Sequence, residues 1–439
     1  MMKMKKFGLV LMLLVVFVFI AACGGNDAND GDYGDTNENG STEVAEDRTF
    51  QLLTENHDTE RDTQVIRELF DEYRGDHEAQ LELEVSILGQ TDIIQRIQLL
   101  TSSNDLPELF KYESGVPLHD LIDQDYVQNV EEAFTDIGIY DQLNTGVVEL
   151  LNRLSGERGL YAIPVELNIE GFWFNQEIFD EHGLEIPTTW DELMEISDVL
   201  LENGVQPFAV AGQERWPITR FINGYVIRTY GVDAMDRVAN GELDITDDGF
   251  VEAAEVVQEM SDRGYFGQGV NTIDYDTASD IFLQGNAAMY YMGSWALGQF
   301  NNEDVNLIGT DNIGFFNIPL VEGGVGTLDE YSMNSGMTIS IAKDKYDEQV
   351  ADWLEYTFAN FGDRALANHG MITGFNVEKM PADVEPLTQM VLEIIEEIED
   401  GALWFEANMD TRTKDAAEQN AQLLINGDMS AQDYMEALQ

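Results

Sequence analysis

The run Gln284-Gly285-Asn286-Ala287-Ala288-Met289-Tyr290-Tyr291-Met292-Gly293-Ser294-Trp295 speaks most directly of binding chemistry. Ala287 to Met292 reads as a strand of small and apolar residues. Gly293-Ser294 ends it in a tight turn that exposes backbone, and Trp295 opens the next helix. Ligands of α/β sheets lie beyond the carboxyl ends of strands, beside helix N-termini. A tryptophan there offers a flat apolar face with a polar tip, suited to the C–H face of a sugar ring. The competing reading of Trp295 is a core anchor, and the sequence alone leaves both open.

Signatures of catalysis are missing. The sequence holds no phosphate loop ending in Gly-Lys-Ser/Thr, no G-x-S-x-G and no H-E-x-x-H; His77-Glu78 has Leu81 where a second His would stand. The five histidines are scattered without metal-like spacing, and no EF-hand loop is present. A glycosidase needs two carboxylates at a set separation, and among 84 acidic residues no pair stands out. No catalytic residue, metal site or cofactor is expected.

The elements that must position Trp295 follow from periodicity. Thr49–Thr54 is a short apolar strand, and Leu81, Leu83, Val85 and Ile87 alternate as a half-buried strand. Arg61–Tyr73 and Asp92–Leu100 carry helical spacing between and after them. This strand–helix–strand–helix order predicts an α/β protein with largely parallel sheets flanked by helices. Thr189-Trp190-Asp191-Glu192 is a capping box, followed by the stripe Leu193, Ile196, Val199 and Leu200 and a stop at Asn203-Gly204. Val350, Trp353, Leu354, Thr357, Phe358 and Phe361 form another stripe, as do Leu387, Val391, Ile394, Ile395 and Ile398. Two last helices meet at Asn426-Gly427-Asp428, the second restarted by Ser430.

Charge narrows the function further. Against 84 Asp and Glu stand 22 Lys and Arg, a net −62. Nucleic-acid binding needs a basic face and is excluded, and charge-driven docking on anionic lipid is disfavoured. The acidity reads as adaptation of an exported protein to a saline or alkaline medium, where screening relieves self-repulsion.

The start of the chain reads as an address. Lys3, Lys5 and Lys6 precede the uncharged run Phe7–Ile20, which leads into Ile20-Ala21-Ala22-Cys23. A basic stretch, a short apolar stretch and small residues before a cut define a secretory signal, and the apolar run is short for a membrane span. The single cysteine of the chain stands at the cut. That pattern resembles the bacterial lipobox, which implies a diacylated Cys23. Residues 1–23 are then signal and lipobox, and 24–48 a polar, acidic tether unable to bury a core. The body is expected outside the cytoplasmic membrane, held to its outer face by lipid.

Four further stretches, in order, resemble the family 1 extracellular solute-binding proteins of ABC importers, the maltose-binding-like superfamily. They are Leu160-Tyr161-Ala162-Ile163-Pro164 through Phe172-Trp173-Phe174-Asn175; His182-Gly183-Leu184 through Pro187-Thr188-Thr189-Trp190-Asp191-Glu192-Leu193; Phe282-Leu283-Gln284-Gly285 through Gly293-Ser294-Trp295; and Gly336-Met337-Thr338-Ile339-Ser340-Ile341 with the helix around Trp353. The run Gly204-Val205-Gln206-Pro207-Phe208 with Trp216-Pro217 is similar to members for raffinose-type and other oligosaccharides. The resemblance implies a two-lobed periplasmic-binding-protein fold of type II with three hinge crossings, placed at Pro164–Asn168, about Thr327–Met333 and near Asn360–Arg364. Lobe one is then 49–165 plus 331–361, and lobe two 166–330 plus 362–439.

Carried onto this chain, the resemblance makes Gly293, Ser294 and Trp295 the ligand-contacting turn, with Trp216 an aromatic near the cleft and Trp404 a late one. Glu166 and Asn168 stand at the first crossing, within reach of sugar hydroxyls. In lobe one, His57, Asp58 and Glu60 follow the first strand, and Tyr112 follows Glu108–Phe110. The function implied is a monomeric, lipid-anchored receptor that binds a carbohydrate, an oligosaccharide in particular. It delivers that ligand to the transmembrane subunits of an ABC importer. The alternatives are a secreted glycoside-acting enzyme and a receptor for another polar solute such as a peptide.

Overall fold

The computed structural model describes residues 47–55, 61–77, 80–88, 90–156, 158–398 and 401–439. The signal, Cys23, most of the tether, and His57, Asp58 and Glu60 lie outside the described residues. No helix among the described residues is long and apolar enough to cross a membrane.

Among the described residues ten strands form two sheets. They are β1 (Arg48–Glu55), β2 (Leu81–Leu88), β3 (Leu109–Tyr112), β4 (Asn168–Asn175), β5 (Gln206–Ala209), β6 (Ala287–Gly293), β7 (Ile313–Phe316), β8 (Tyr331–Asn334), β9 (Thr338–Ile341) and β10 (Gly401–Ala402). The first sheet has the order β2-β1-β3-β9. In it β1 is parallel to β2 and β3, and β9 is antiparallel to β3. The edge strand β2 keeps Glu82, Glu84 and Ser86 exposed and turns Leu81, Leu83, Val85 and Ile87 inward, the alternation legible in its sequence.

The second sheet runs β10-β8-β4-β6-β5, with β7 also on β4. It is mixed, not largely parallel: β4 is antiparallel to β6, β7 and β8. Chain entry explains part of this. Strand β4 begins where the chain arrives from the first sheet, whereas β8 ends where it goes back. The two pair as Asn168↔Asn334, one leaving the hinge and the other returning to it. All eight residues of β4 are buried, and alternate ones serve opposite faces. Trp173 joins a core shared with the first sheet, and Phe172 and Phe174 join a second core under the helices of the second sheet.

The helices obey their sequence signals. Thr189 accepts from the Glu192 N–H and the Glu192 side chain answers to the Thr189 backbone, starting the helix Trp190–Glu202. Leu193 and Leu200 of its stripe are buried. Trp353, on the helix Glu348–Ala359, is fully buried with its ring centroid 4.7 Å from that of Phe50. The end of the chain forms the helices Thr411–Ile425 and Ala431–Glu436, the latter capped by Ser430.

The chain passes between the sheets three times. Ile163 is bridged to Ile339 of the first sheet and Asn168 opens β4, so the first passage lies between them. The second passage lies between Asn334 and Thr338, later than the Thr327–Met333 expected, because Tyr331–Met333 already pair in the second sheet. The third comes after the helix Phe361–His369, not at Asn360–Arg364. That helix stays tied to the helix Arg61–Gly75, with Arg364 Nη2 2.9 Å from Glu72 and His369 Nε2 3.0 Å from Glu68. The crossing segments bond to one another: Gly374 N donates to the Pro164 carbonyl at 3.0 Å, Leu167 N to Ile372 O at 3.2 Å, and Ser335 Oγ to Glu166 O at 2.7 Å.

Candidate ligand-binding site

Strand β6 delivers Gly293 to the hinge side of the second sheet, and a single 3₁₀ turn, Ser294–Ala296, follows before the short helix Leu297–Phe300. The indole of Trp295 folds back over Gly293, where a Cβ would stand 1.9 Å from the ring. Only glycine admits that pose. Tyr275 lies near the indole, and its hydroxyl is pushed up to about 12, by burial first. Ser294 is buried and does backbone work: its Oγ accepts from Ile169 N at 3.2 Å and donates to Asn168 Oδ1 at 3.2 Å.

Between the sheets lies a cavity of about 10 Å³, roughly the space of one water molecule, bordered by Arg61, Glu166, Asn168, Ser294, Trp295 and Met371 among others. Small-molecule sites run to roughly 300–1,000 Å³, so an oligosaccharide enters only if the lobes part. Four of the sequence-designated residues therefore meet: Glu166, Asn168, Ser294 and Trp295. Asn168 Nδ2 donates to Glu166 Oε2 at 3.1 Å. Burial pushes the Glu166 carboxyl above the ordinary range, opposed by the nearby Lys111 charge. Gly336 sits tight against it at φ +57°, with room for a Cβ only 2.5 Å from Glu166 Oε2.

The other two designated tryptophans gather beside Trp295. The Trp216 ring lies 5.8 Å from that of Trp295 at 69°, an edge-to-face pair. The Arg220 guanidinium stands 5.4 Å from the Trp216 ring and 6.0 Å from that of Trp404. All three of these indoles are half-buried, whereas Trp173, Trp190 and Trp353 are at most 3% exposed. Tyr112 behaves differently. It is 3% exposed, packs on Phe110 with centroids 6.3 Å apart, and does not border the cavity. Its place in β3 turns the side chain into the core, and its hydroxyl is pushed up to about 12 by burial. Asp58 lies outside the described residues.

Several polar residues of the cleft carried no sequence signal. Lys111, 2% exposed, pairs with the fully buried Asp62 at 2.8 Å. Arg61 Nη2 reaches across to the Trp295 carbonyl at 3.2 Å, and Lys414 Nζ reaches Glu113 at 3.0 Å, so both sides of the cleft are bridged directly. Behind the tryptophans, Arg220 donates to Glu170 Oε2 at 2.9 Å and Glu406 Oε2 at 3.0 Å, and Asn334 Nδ2 to Glu170 Oε1 at 2.7 Å. The one available hint was scarcity: Lys111 and Lys414 are two of only five lysines beyond the leader. Among the described residues no group of His, Cys, Asp and Glu has the arrangement to hold a metal ion.

Two α/β lobes joined by three hydrogen-bonded crossings, with aromatic and polar groups converging between them, define a solute-binding architecture. Residues 57–360 match the family model of the bacterial extracellular solute-binding proteins, and the chain belongs to that family. It is 22% identical to an uncharacterized ABC transporter extracellular-binding protein of Pyrococcus horikoshii over 61% of its own length and 58% of the relative's. It is 25% identical to the multiple sugar-binding protein of Streptococcus mutans, over 54% of this chain and 57% of that one. The chain thus matches somewhat under three fifths of these relatives' length. Among solved structures, a chitin oligosaccharide binding protein superposes with a TM-score of 0.79 at 20% identity, covering 89% of this chain and 97% of the other. The fold is the two-lobed one of these proteins. RafE in complex with raffinose superposes with a TM-score of 0.68 at 17% identity, covering 89% and 97%.

Proposed function

We propose that this protein is a receptor that binds a carbohydrate, an oligosaccharide in particular, between two closing lobes and hands it to the transmembrane subunits of an ABC importer. The observation that carries the reading is the division of the six tryptophans: three are core, and three stand half-buried together at the cleft. Core packing alone gives no reason to leave three such large rings partly exposed side by side, and stacking on sugar does. Lobe one comprises about 49–165 and 338–370, and lobe two about 166–337 and 371–439. A ligand that touches both lobes only when they are shut shifts the population toward the closed form, the one a permease recognises. Trp295 is the platform, with Trp216 and Trp404 beside it, and Glu166 and Asn168 meet sugar hydroxyls. The protein performs no catalysis and works as a monomer.

The family is extracellular, and the lipobox pattern supports an anchor at Cys23 with the tether as leash. Two acyl chains hold a protein stably where one does not. Intact-mass measurement of the protein from its own membrane tests this; a mass without diacylglycerol removes the anchor.

The function is tested by calorimetry with raffinose, stachyose, chitotriose and xylotriose, each also checked for cleavage. At least one is expected to bind uncleaved. Trp295→Ala is expected to weaken that binding by about 2 kcal/mol or more, as truncated aromatic hot spots do. Unchanged affinity in a folded variant refutes the platform. Cleavage favours a glycoside-acting enzyme, and silence from every sugar favours a receptor for another polar solute such as a peptide.

A further inference from the structure

Two ion pairs join the lobes, and each lobe supplies one of the cations. Lys414, near the start of the helix Thr411–Ile425 in lobe two, donates to both carboxylate oxygens of Glu113 in lobe one, at 3.1 Å and 3.0 Å. Glu418 and Glu406 act on Lys414 through charge alone, so Glu113 is its bonded partner. Arg153 ends the helix Thr145–Leu154 of lobe one. It donates through Nε to Asp236 Oδ2 at 3.1 Å and through Nη1 to Gly401 O at 2.7 Å, both in lobe two. Asn408 Nδ2 donates to the other oxygen of Asp236 at 2.8 Å and so orients that carboxylate. The main chains come close here as well: a Cβ on Gly115 of lobe one would stand 3.0 Å from the Ala407 carbonyl oxygen of lobe two. None of Glu113, Arg153, Asp236 and Lys414 borders the cavity between the sheets.

A chain of net −62 with only 22 Lys and Arg repels itself, and shutting the lobes brings more of its like charges together. A cation paired across the gap, instead of within its own lobe, opposes that repulsion only while the lobes are shut. The four side chains are between 19% and 30% exposed, so solvent and salt screen them less than open surface pairs. We propose that Lys414–Glu113 and Arg153–Asp236 form a latch that sets how much of the protein is shut, and thereby how long a ligand stays, without touching the ligand. The effect on ligand rests on the receptor reading, whereas the latch itself is observable without any ligand. Apparent affinity scales with the fraction of protein in the competent state. A bound ligand leaves only when the lobes part, so each pair that must break slows its exit.

The test measures X-ray scattering of the ligand-free full chain, in wild type, Lys414→Met, Arg153→Met and the two changes together. The radius of gyration is expected to rise from wild type through the single variants to the double, and Lys414→Arg is expected to keep the wild-type value. Glu113→Gln should match Lys414→Met, and combining those two should add little, as for residues that act as one pair. For whichever of raffinose, stachyose, chitotriose and xylotriose binds, dissociation should quicken by about two- to fivefold per pair removed, the size of a partly exposed ion pair. Thermal melts check folding, and Glu113→Gln with Asp236→Asn carry the test if a lysine or arginine variant does not fold. Ligand-free dimensions unmoved in the double variant overturn the latch, even if dissociation quickens, because the two cations would then be ligand contacts. Full additivity of Lys414→Met and Glu113→Gln overturns the role of that pair. If no sugar binds, the receptor reading fails, and the scattering alone still decides the latch.

Discussion

The first-sheet side of the cleft brings Arg61, Asp62, Lys111 and Glu113, whereas the second-sheet side brings Trp216, Trp295 and Trp404. The charged side is wired before any ligand arrives: its lysine and aspartate form a buried ion pair, and Arg61 donates to carbonyls. The aromatic side keeps part of its area open. The difference suggests a division of labour. On the proposed function, the partly exposed rings are the area a sugar face would cover, while the Arg61–Trp295 and Lys414–Glu113 bridges join the two sides directly. The polar groups at the hinge, Glu166 and Asn168, belong to both sides because the crossing that carries them does.

The largest effect separates core from platform. Trp173→Ala, at a fully buried ring of β4, is expected to cost about 3–5 kcal/mol of stability. Trp295→Ala is expected to cost less than about 2 kcal/mol. Denaturant melts of both variants check this. Equal losses would place Trp295 in the core and break the comparison between the two sides.

Next comes the charged side. Lys111→Met leaves Asp62 buried without its cation, and breaking a buried pair in this way is expected to cost about 3–5 kcal/mol. The double change Lys111→Met with Asp62→Leu is expected to recover most of it, because two apolar groups replace two charges. A double variant no better than the single one would show that the pair is not the unit that matters.

A smaller effect follows from Glu418, whose carboxyl is pushed up to about 7. A carboxyl raised in the folded state holds its proton when the unfolded chain has lost it. Stability is therefore fullest below the ordinary carboxylate value and falls as pH rises toward 7, by about 3 kcal/mol at most, then levels. Glu166, raised in the same direction, adds to the slope. Melts of wild type and Glu418→Gln from pH 4 to 9 check it. A wild-type curve no steeper than that of the variant would remove Glu418 from the account.

The smallest effect is that of salt. A net −62 destabilises the compact state by self-repulsion, so the melting temperature is expected to climb between about 0.05 and 2 M NaCl. The gain should concentrate on exposed acids and leave the dry Lys111–Asp62 pair unaffected, so Lys111→Met should show the same climb. A flat wild-type curve would end the argument for adaptation to a saline medium.

Local patterns in the chain were enough to mark several elements. Alternation at Leu81, Leu83, Val85 and Ile87 is the signature of an edge strand with one dry face, and β2 is that strand. The Thr189–Glu192 box closes within four residues, so its geometry is independent of the rest of the molecule. The Gly293-Ser294-Trp295 turn was legible for the same reason, since the glycine's missing side chain is what lets the neighbouring ring fold back. Strand direction in the second sheet was not legible, because it depends on where the chain enters from the other lobe. The crossings moved for a related cause. Nothing local says that Tyr331–Asn334 pair with β4 or that Arg364 is bound to Glu72, over 290 residues away in sequence.

The sequence by itself determined which residues are apolar, where several helices start and stop, and that four family-like stretches follow in a set order. Those are properties of neighbours along the chain. Only the tertiary structure decided which three of six tryptophans stay half-open, that Tyr112 turns into the core, and that Lys111, alone among many acids, finds Asp62. Exposure and charge pairing are set by what distant segments bring to the same few ångströms, and in a chain with 84 acidic residues no local pattern can name the six or so that end up in the cleft.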